Sequence, residues 1–253
     1  NFNLVEKGDR VVVACSGGKD STLVLYLLNK FFGGVVALAV DEGIKGYRDK
    51  SINDLKIFCD EQGIELRVYS FAEEFGKSLD KVLDGSVNPC TVCGTIRRQI
   101  LNKYAVDFDK IATGHNMDDE SQAVLMNLFK SNVDLLWNSG PISGKVEGFV
   151  QRIKPLYFCL ERDVVRYVKL KGFKVCLIKS CPYRVTAFRK QVRELLDDYE
   201  LSNVGVKKNI LEKHLSLLKN VNLKKRTFGY CSVCGGPSLG KLCKACQFIK
   251  SFK

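Results

Sequence analysis

The sequence has 253 residues, 45% of them hydrophobic, and no run of eighteen apolar residues. This supports a buried core and excludes a membrane-spanning helix; no secretory signal opens the chain, which begins at Asn1. The net charge of +12 is divided, with 17 Lys+Arg against 21 Asp+Glu in residues 1–151 (net −4) and 23 against 7 in residues 152–253 (net +16), which points to a catalytic part joined to a polyanion-binding part.

In chain order, Val11–Cys15 reads as a buried strand and Ser21–Phe31 as a helix with Leu23, Leu27 and Leu28 on one face. Val35–Val40 is a second strand, followed by a helix over Lys50–Gln62 with Ile52, Leu55 and Phe58 inward. Glu65–Ser70 is a third strand, Gly94–Tyr104 a helix and Lys110–Thr113 a fourth strand. Such alternation predicts an α/β fold with a parallel sheet covered by helices, whose ligands gather at the C-terminal strand ends. Asp118–Phe129 is a further helix, Asn132–Gly148 a loop and Lys174–Ile178 strand-like. Thr186–Tyr199 and Val204–Leu218 are helices with basic exposed faces.

Ser16-Gly17-Gly18-Lys19-Asp20-Ser21 lies between the first strand and the first helix. A glycine-rich turn at a helix N-terminus aims backbone N–H groups and the positive dipole end at one spot, which suits a phosphate. The string is neither a Walker A loop nor G-x-G-x-x-G. Asp41-Glu42-Gly43 and Gly114-His115-Asn116 follow strands two and four, where the same rule places ligands.

Eleven cysteines without sign of export argue for metal binding or catalysis. Cys231, Cys234, Cys243 and Cys246 form two C-x-x-C knuckles separated by eight residues, a tetrahedral Zn²⁺ pattern, so a structural zinc ribbon is expected from about Thr227. Cys90 and Cys93 precede a helix beginning Ile96-Arg97-Arg98 and are expected to have lowered thiol pKa values. This pair fits a redox pair, half a metal site or two core residues; Cys181 is a candidate third ligand, as for a cluster with one open iron. Cys15, Cys59, Cys159 and Cys176 read as packing residues, and His214 as structural or solvent-facing. Trp137 reads as buried rather than base-stacking.

The hexapeptide S-G-G-K-D-S resembles the signature of the PP-loop ATP pyrophosphatases. With Pro89-Cys90-Thr91-Val92-Cys93-Gly94, Gly114-His115-Asn116-Met117-Asp118-Asp119, Cys181-Pro182-Tyr183-Arg184 and the terminal cysteines, the chain resembles the tRNA 2-thiouridine synthetases, in their archaeal and eukaryotic cytosolic group, along nearly its whole length. That resemblance implies a PP-loop (adenine nucleotide alpha hydrolase-like) catalytic domain over residues 1–200, a basic helical linker over 201–226 and a zinc ribbon over 227–253. It implies ATP held by Ala14, Ser16, Gly17, Gly18, Lys19, Asp20, Ser21, Ala39, Val40, Asp41, Gly114, His115 and Asp119. Mg²⁺ would lie on Asp119 or Asp118, a [4Fe-4S] cluster on Cys90, Cys93 and Cys181, and Zn²⁺ on Cys231, Cys234, Cys243 and Cys246. Cys90, Cys181, Lys19, Asp119 and Arg97 would carry catalysis; Arg97 stands where relatives often have lysine. A further zinc module near the N-terminus is usual in the group, and residues 1–9 hold no cysteine for it.

The implied reaction adenylates the C2 oxygen of a tRNA uridine, at the wobble position or in the T-loop, and replaces it with sulfur. A ubiquitin-like carrier or free sulfide would be the donor, in a cytoplasmic homodimer that does not bind membranes. A persulfide on Cys90 and Cys181 without a cluster, and a PP-loop amidotransferase acting on a small molecule, are the alternatives. Arg184, Arg189, Lys190 and Arg193 are expected to guide a tRNA loop, and Lys207, Lys208, Lys224, Lys225 and Arg226 to hold its backbone.

Overall fold

The computed structural model describes residues 2–83, 87–175, 181–185, 188–221 and 227–251. The chain runs β1 (Val11–Cys15), α1 (Lys19–Phe32), β2 (Val36–Asp41), α2 (Arg48–Gln62), β3 (Leu66–Ser70), α3 (Phe71–Phe75), α4 (Leu79–Val82), α5 (Pro89–Tyr104), β4 (Lys110–Thr113), α6 (Met117–Phe129), α7 (Val133–Trp137) and β5 (Gln151–Ile153). It continues through α8 (Glu161–Leu170), a 3-10 turn (Pro182–Val185), α9 (Phe188–Ser202), α10 (Val206–Leu218), β6 (Gly229–Tyr230), β7 (Pro237–Ser238) and α11 (Lys244–Ser251).

The five-stranded sheet has the order β3-β2-β1-β4-β5, and every pairing in it is parallel. The chain builds outward from β1 to β3, then returns to the other side of β1, so the order reverses between β1 and β4. The loops after these two strands diverge to opposite faces there and open a crevice. Strand alternation sorts the core. Val11, Val13, Cys15, Ala37 and Ala39 pack with Leu23, Leu28, Leu55, Phe58, Val164 and Val168 of α1, α2 and α8. Val12, Leu38, Val40 and Ile111 pack on the opposite face with Val92, Ile96 and Ile100 of α5.

The expected strands and helices of residues 11–113 are present, with boundary shifts of a residue or two except at α5. That helix starts at Pro89 rather than Gly94, because the Asn88 side chain accepts hydrogen bonds from the N–H groups of Cys90 (3.0 Å) and Thr91 (3.2 Å). Cys90 and Cys93 therefore sit three residues apart on the first helical turn and not ahead of it. The stretch expected as a loop, 132–148, contains the short α7. Several elements have no sequence counterpart, among them the short α3 and α4, β5 with its unremarkable Gln-Arg-Ile, and α8, whose buried Val164 and Val168 lie one turn apart. Of the strand expected at 174–178, residues 176–178 lie outside the described residues.

Within the stretch expected as a basic helical linker, residues 206–218 form the helix α10, which packs with α9 against α6, where α7 also lies. Leu211 is fully buried there beside Met117, Val124 and Tyr157. The terminal cysteine module packs on α5. Cys231, Cys243, Ala245 and Cys246 join the core on that side of the sheet, and the Gln99 amide donates to Cys234 Sγ at 3.3 Å. No helix among the described residues is long and apolar enough to cross a membrane.

The crevice floor needs a glycine at 114, since a Cβ there would lie 2.6 Å from the backbone nitrogen of Ser21. Gly114→Ala is expected to push the β4 loop off α1 and to cost about 1–3 kcal/mol of stability. Chemical denaturation checks it; an unchanged midpoint would count against the close packing of the two loops.

Candidate functional site

The loop after β1 is held open by its own hydrogen bonds. Gly18 is the N-cap of α1. Ser21 Oγ donates to Gly18 O (3.1 Å) and accepts from the Ser16 N–H (3.1 Å), and Ser16 Oγ lies 3.3 Å from Ser21 Oγ. Gly17 has φ +77°, and a Cβ on it would sit 2.1 Å from Ser51 O, so only glycine fits this turn. The loop backbone and the first turn of α1 thus present an anion site.

Lys19 crosses this mouth. Its Nζ pairs with Asp20 Oδ2 and with Glu161 Oε1 of α8, both at 2.8 Å. Burial works against the ammonium, but the two carboxylates overcome it and hold the pKa above the usual lysine value. Asn116 donates to Asp20 Oδ1 (2.9 Å) and caps α6 in a reciprocal box with Asp119. Asp119 is half-buried, with Arg189 at 3.6 Å. Asp118 is engaged elsewhere, for Lys207 pairs with it at 2.5 Å and the Glu161 N–H donates to it at 2.7 Å. His115 Nδ1 contacts Thr113 Oγ1 at 2.9 Å. The ring is exposed by surface area yet crowded by the strand ends; that partial loss of hydration, against the pull of Glu120 and with Lys154, Arg189 and Arg152, lowers its pKa, so the imidazole is neutral at pH 7. Ala14 is half-buried beside the loop. Ala39 and Val40 are buried under the end of β2, leaving Asp41 as the half-buried side chain of that set.

From the end of β2 an ion network runs to the cysteines, buried at Glu42 and Arg48 and partly exposed at Arg97. Glu42, 4% exposed, holds Arg48 Nε at 2.7 Å and Arg97 Nε at 2.8 Å. Arg48 donates to Ser16 O (2.7 Å), to Ser51 Oγ (3.0 Å) and to Val40 O. Arg97 donates to Cys93 Sγ at 2.9 Å. Cys90 is exposed, and its thiol reaches Tyr183 O at 3.5 Å. Cys181, from the far end of the chain, is a charge neighbour of both Cys90 and Cys93, so the three predicted thiols converge. Tyr183 anchors their segment by donating to Asp80 Oδ1 at 2.9 Å.

The lowering expected for the Cys90–Cys93 pair does not hold for Cys93, and Cys181 is raised as well. Burial raises both, and Arg97, which pulls the other way, does not outweigh it. Half-buried, adjacent thiols beside a guanidinium still suit a group that displaces their protons.

The four terminal cysteines have Sγ atoms within 4.8 Å of one another, the spacing of a tetrahedral ion. The Cys246 N–H donates to Cys243 Sγ at 3.4 Å. Burial pushes Cys231 up, but backbone N–H groups outweigh it and bring it down to about 6, while burial raises Cys234 and Cys246. Cys15 and Cys59 are buried as expected of packing residues, Cys159 is exposed instead, and Cys176 lies outside the described residues.

Part of the basic half is neutralised inside the fold. Lys207 is 5% exposed and bridges Asp118 and Asp197, so it cannot hold a nucleic-acid backbone as expected. Arg193 pairs with Glu161 at 2.5 Å and with Asp197 at 3.5 Å. Lys190 and Lys208 are exposed and, among the described residues, pair with Glu194 and Glu212 along their own helices. The Arg184 side chain and residues 224–226 lie outside the described residues. His214 is structural, buried against Ser139 Oγ at 2.7 Å and stacked on the half-buried Trp137. Arg48 and Glu161 were not singled out from the sequence, and Glu42 and Asn116 entered only as members of strand-end motifs, without a role of their own. The only signal for Glu42 is its place in Asp41-Glu42-Gly43 at a strand end, and Glu161 has none.

Comparison with known proteins places this geometry. The PP-loop domain family matches residues 2–181. A tRNA-5-methyluridine(54) 2-sulfurtransferase of Pyrococcus horikoshii is 35% identical over 98% of this chain and 80% of its own. The cytoplasmic tRNA 2-thiolation protein 1 of Drosophila melanogaster is 36% identical over 98% of this chain and 75% of its own. Among solved structures, the U34-tRNA thiolase NcsA from Methanococcus maripaludis with its [4Fe-4S] cluster superposes with a TM-score of 0.86 at 34% identity, covering 99% of this chain and 83% of that one.

Glu161 holds the Lys19 ammonium at 2.8 Å, so a phosphate bound at this mouth would have to compete with it. Glu161→Gln is expected to tighten ATP binding about tenfold, the effect of one charge-assisted contact of about 1.4 kcal/mol. Titration calorimetry checks it; unchanged or weaker affinity would mean that the carboxylate does not compete.

Proposed function

The chain belongs to the PP-loop family of tRNA-thiolating proteins, and from that premise we propose that it is an ATP-dependent tRNA uridine 2-sulfurtransferase. The observation that carries the reading is the convergence of two half-sites. The nucleotide loop and the Cys90, Cys93 and Cys181 thiols flank one ion network at the C-terminal ends of β1 and β2.

In the proposed reaction the uridine C2 oxygen attacks the α-phosphate of ATP and pyrophosphate leaves. Sulfur then attacks C2 and AMP leaves. Lys19 and the N–H groups at the start of α1 would stabilise charge developing on the phosphates. Asp119 rather than Asp118 would hold Mg²⁺, since Asp118 is committed to Lys207 and to the start of α8. The neutral His115 would donate one hydrogen bond without adding charge. Exposed Cys90, buried Cys93 and half-buried Cys181 fit three ligands of an iron–sulfur cluster, as in the NcsA relative, which would supply an open iron for hydrosulfide. Arg97 would keep the Cys93 sulfur turned to that group. The four terminal thiols would hold Zn²⁺ and so brace α5, the helix that carries Cys90 and Cys93. A cytoplasmic setting follows from the named role of the Drosophila relatives.

A cluster-free persulfide reading keeps one supporting observation, the adjacency of Cys90 and Cys181. Anaerobic reconstitution separates the two. The cluster reading requires broad visible absorbance that Cys90→Ser, Cys93→Ser and Cys181→Ser each abolish; colourless but active protein would overturn it.

Three further outcomes are expected. Lys19→Ala should reduce thiolation at least about a hundredfold with tRNA binding retained, measured by nucleoside mass spectrometry. Binding of tRNA should weaken steeply with salt, and replacing Arg189, Lys190 and Lys208 together should flatten the slope by about two to three; a salt-independent affinity would favour a small-molecule substrate. Cys231→Ser should lose bound zinc in elemental analysis and lower the unfolding temperature, because the module has little apolar core of its own.

A further inference from the structure

We propose that Glu42 is a positioning residue that sets Arg97 against the Cys93 sulfur and ties that arrangement to the state of the nucleotide loop through Arg48. The carboxylate is the single anion between two guanidiniums, with Oε1 on Arg97 and Oε2 on Arg48. Arg48, 3% exposed, has no solvent route for its charge, and its other nitrogens are spent on Ser16 O, Ser51 Oγ and Val40 O. Ser16 begins the nucleotide loop, and the Ser51 backbone seats Gly17 of the same loop. Val40 lies at the end of β2. One end of the network is therefore built into the backbone around the phosphate site, and the other ends on Cys93 Sγ at 2.9 Å.

The chemistry of the linkage makes it directional. Each guanidinium meets one oxygen of the carboxylate through its Nε, so Glu42 tethers both by charge and sits where their two positions meet. Rotation of Arg48 when the loop closes on phosphate moves the carboxylate, and the carboxylate moves Arg97. The Arg48 and Glu42 side chains are 3% and 5% exposed, so loosening that pairing leaves a charge unpaired and favours a concerted move, while the Arg97 side chain, 43% exposed, has room to shift with the carboxylate. Arg97 alone would place a cation near Cys93. Glu42 makes its position depend on the loop. Two sites that share such an element are coupled, with a typical coupling of about 5- to 150-fold.

The inference rests on the reading of Ser16–Ser21 as the nucleotide site, and the test keeps the two apart. Metal-free protein is alkylated with iodoacetamide with and without a non-hydrolysable ATP analogue, and modification of Cys93 is followed by peptide mass spectrometry against buried Cys59. In the wild-type chain the analogue should change the Cys93 rate at least about fivefold. In Glu42→Gln the analogue should still bind by calorimetry and the Cys93 response should disappear. Should Glu42→Gln not fold, the double variant Glu42→Gln, Arg97→Gln keeps the net charge of the network, and the same loss of response is expected with binding retained. A response that survives in the folded variant overturns the proposal, as does bound analogue without a response in the wild type. No binding of the analogue to the wild type would overturn the nucleotide-site reading itself and this proposal with it.

Discussion

The parallel pairing of β1 with β2 on one side and β4 on the other is the constraint on which the site depends. It brings three strand ends side by side at the point where the strand order reverses. The loop after β1, the Asp41–Glu42 turn after β2 and Gly114–Asn116 after β4 have no choice but to meet there. Each contact above them is short-range and polar. Gly114 lies against the first turn of α1, Asn116 donates to Asp20, and Arg48 donates to Ser16 and Val40 at once. None of these contacts would form without the strand register.

Charge in this molecule is distributed by pairing more than by patch. The +16 half sends Arg193 and Lys207 inward, where they meet Glu161, Asp118 and Asp197. A carboxylate buried near the nucleotide loop needs such a partner, since an isolated one would carry a large desolvation penalty. The basic surface open to a polyanion is correspondingly smaller than the composition suggests. Glu161 links the two uses of charge. It holds Lys19 of the loop on one oxygen and Arg193 of α9 on the other.

The two cysteine groups are parts of one layer. α5 carries Cys90 and Cys93 at its start and takes the terminal cysteine module along its side, through Gln99 and the apolar contacts of Ala245 and Cys246. A small module with little core of its own thereby becomes the outer wall of the helix that orients the thiols.

The sequence by itself determined the four strands and the longer helices of residues 11–113, though not the short α3 and α4, and the local motifs, because period-2 and period-3.6 apolar patterns, glycine turns and C-x-x-C spacing are written in adjacent residues. It therefore showed the anion loop, the four-thiol set and the family, and it offered Cys181 as a third ligand beside Cys90 and Cys93 while leaving other uses of that pair open. The start of α5 was misread because the Asn88 cap and Pro89 outweigh the helix-poor Cys-Thr-Val-Cys that follows. β5 and α8 were missed because a three-residue strand has too few positions to show a period, and α8 buries only two residues. Tertiary structure alone decided the partners of charges. Lys207 reads as a surface lysine and is buried between carboxylates of α6 and α9; Glu42 reads as one residue of a turn and joins two arginines. A long charged side chain is placed by whatever opposite charge the fold brings within reach, and that neighbour is fixed by contacts between residues far apart in the chain.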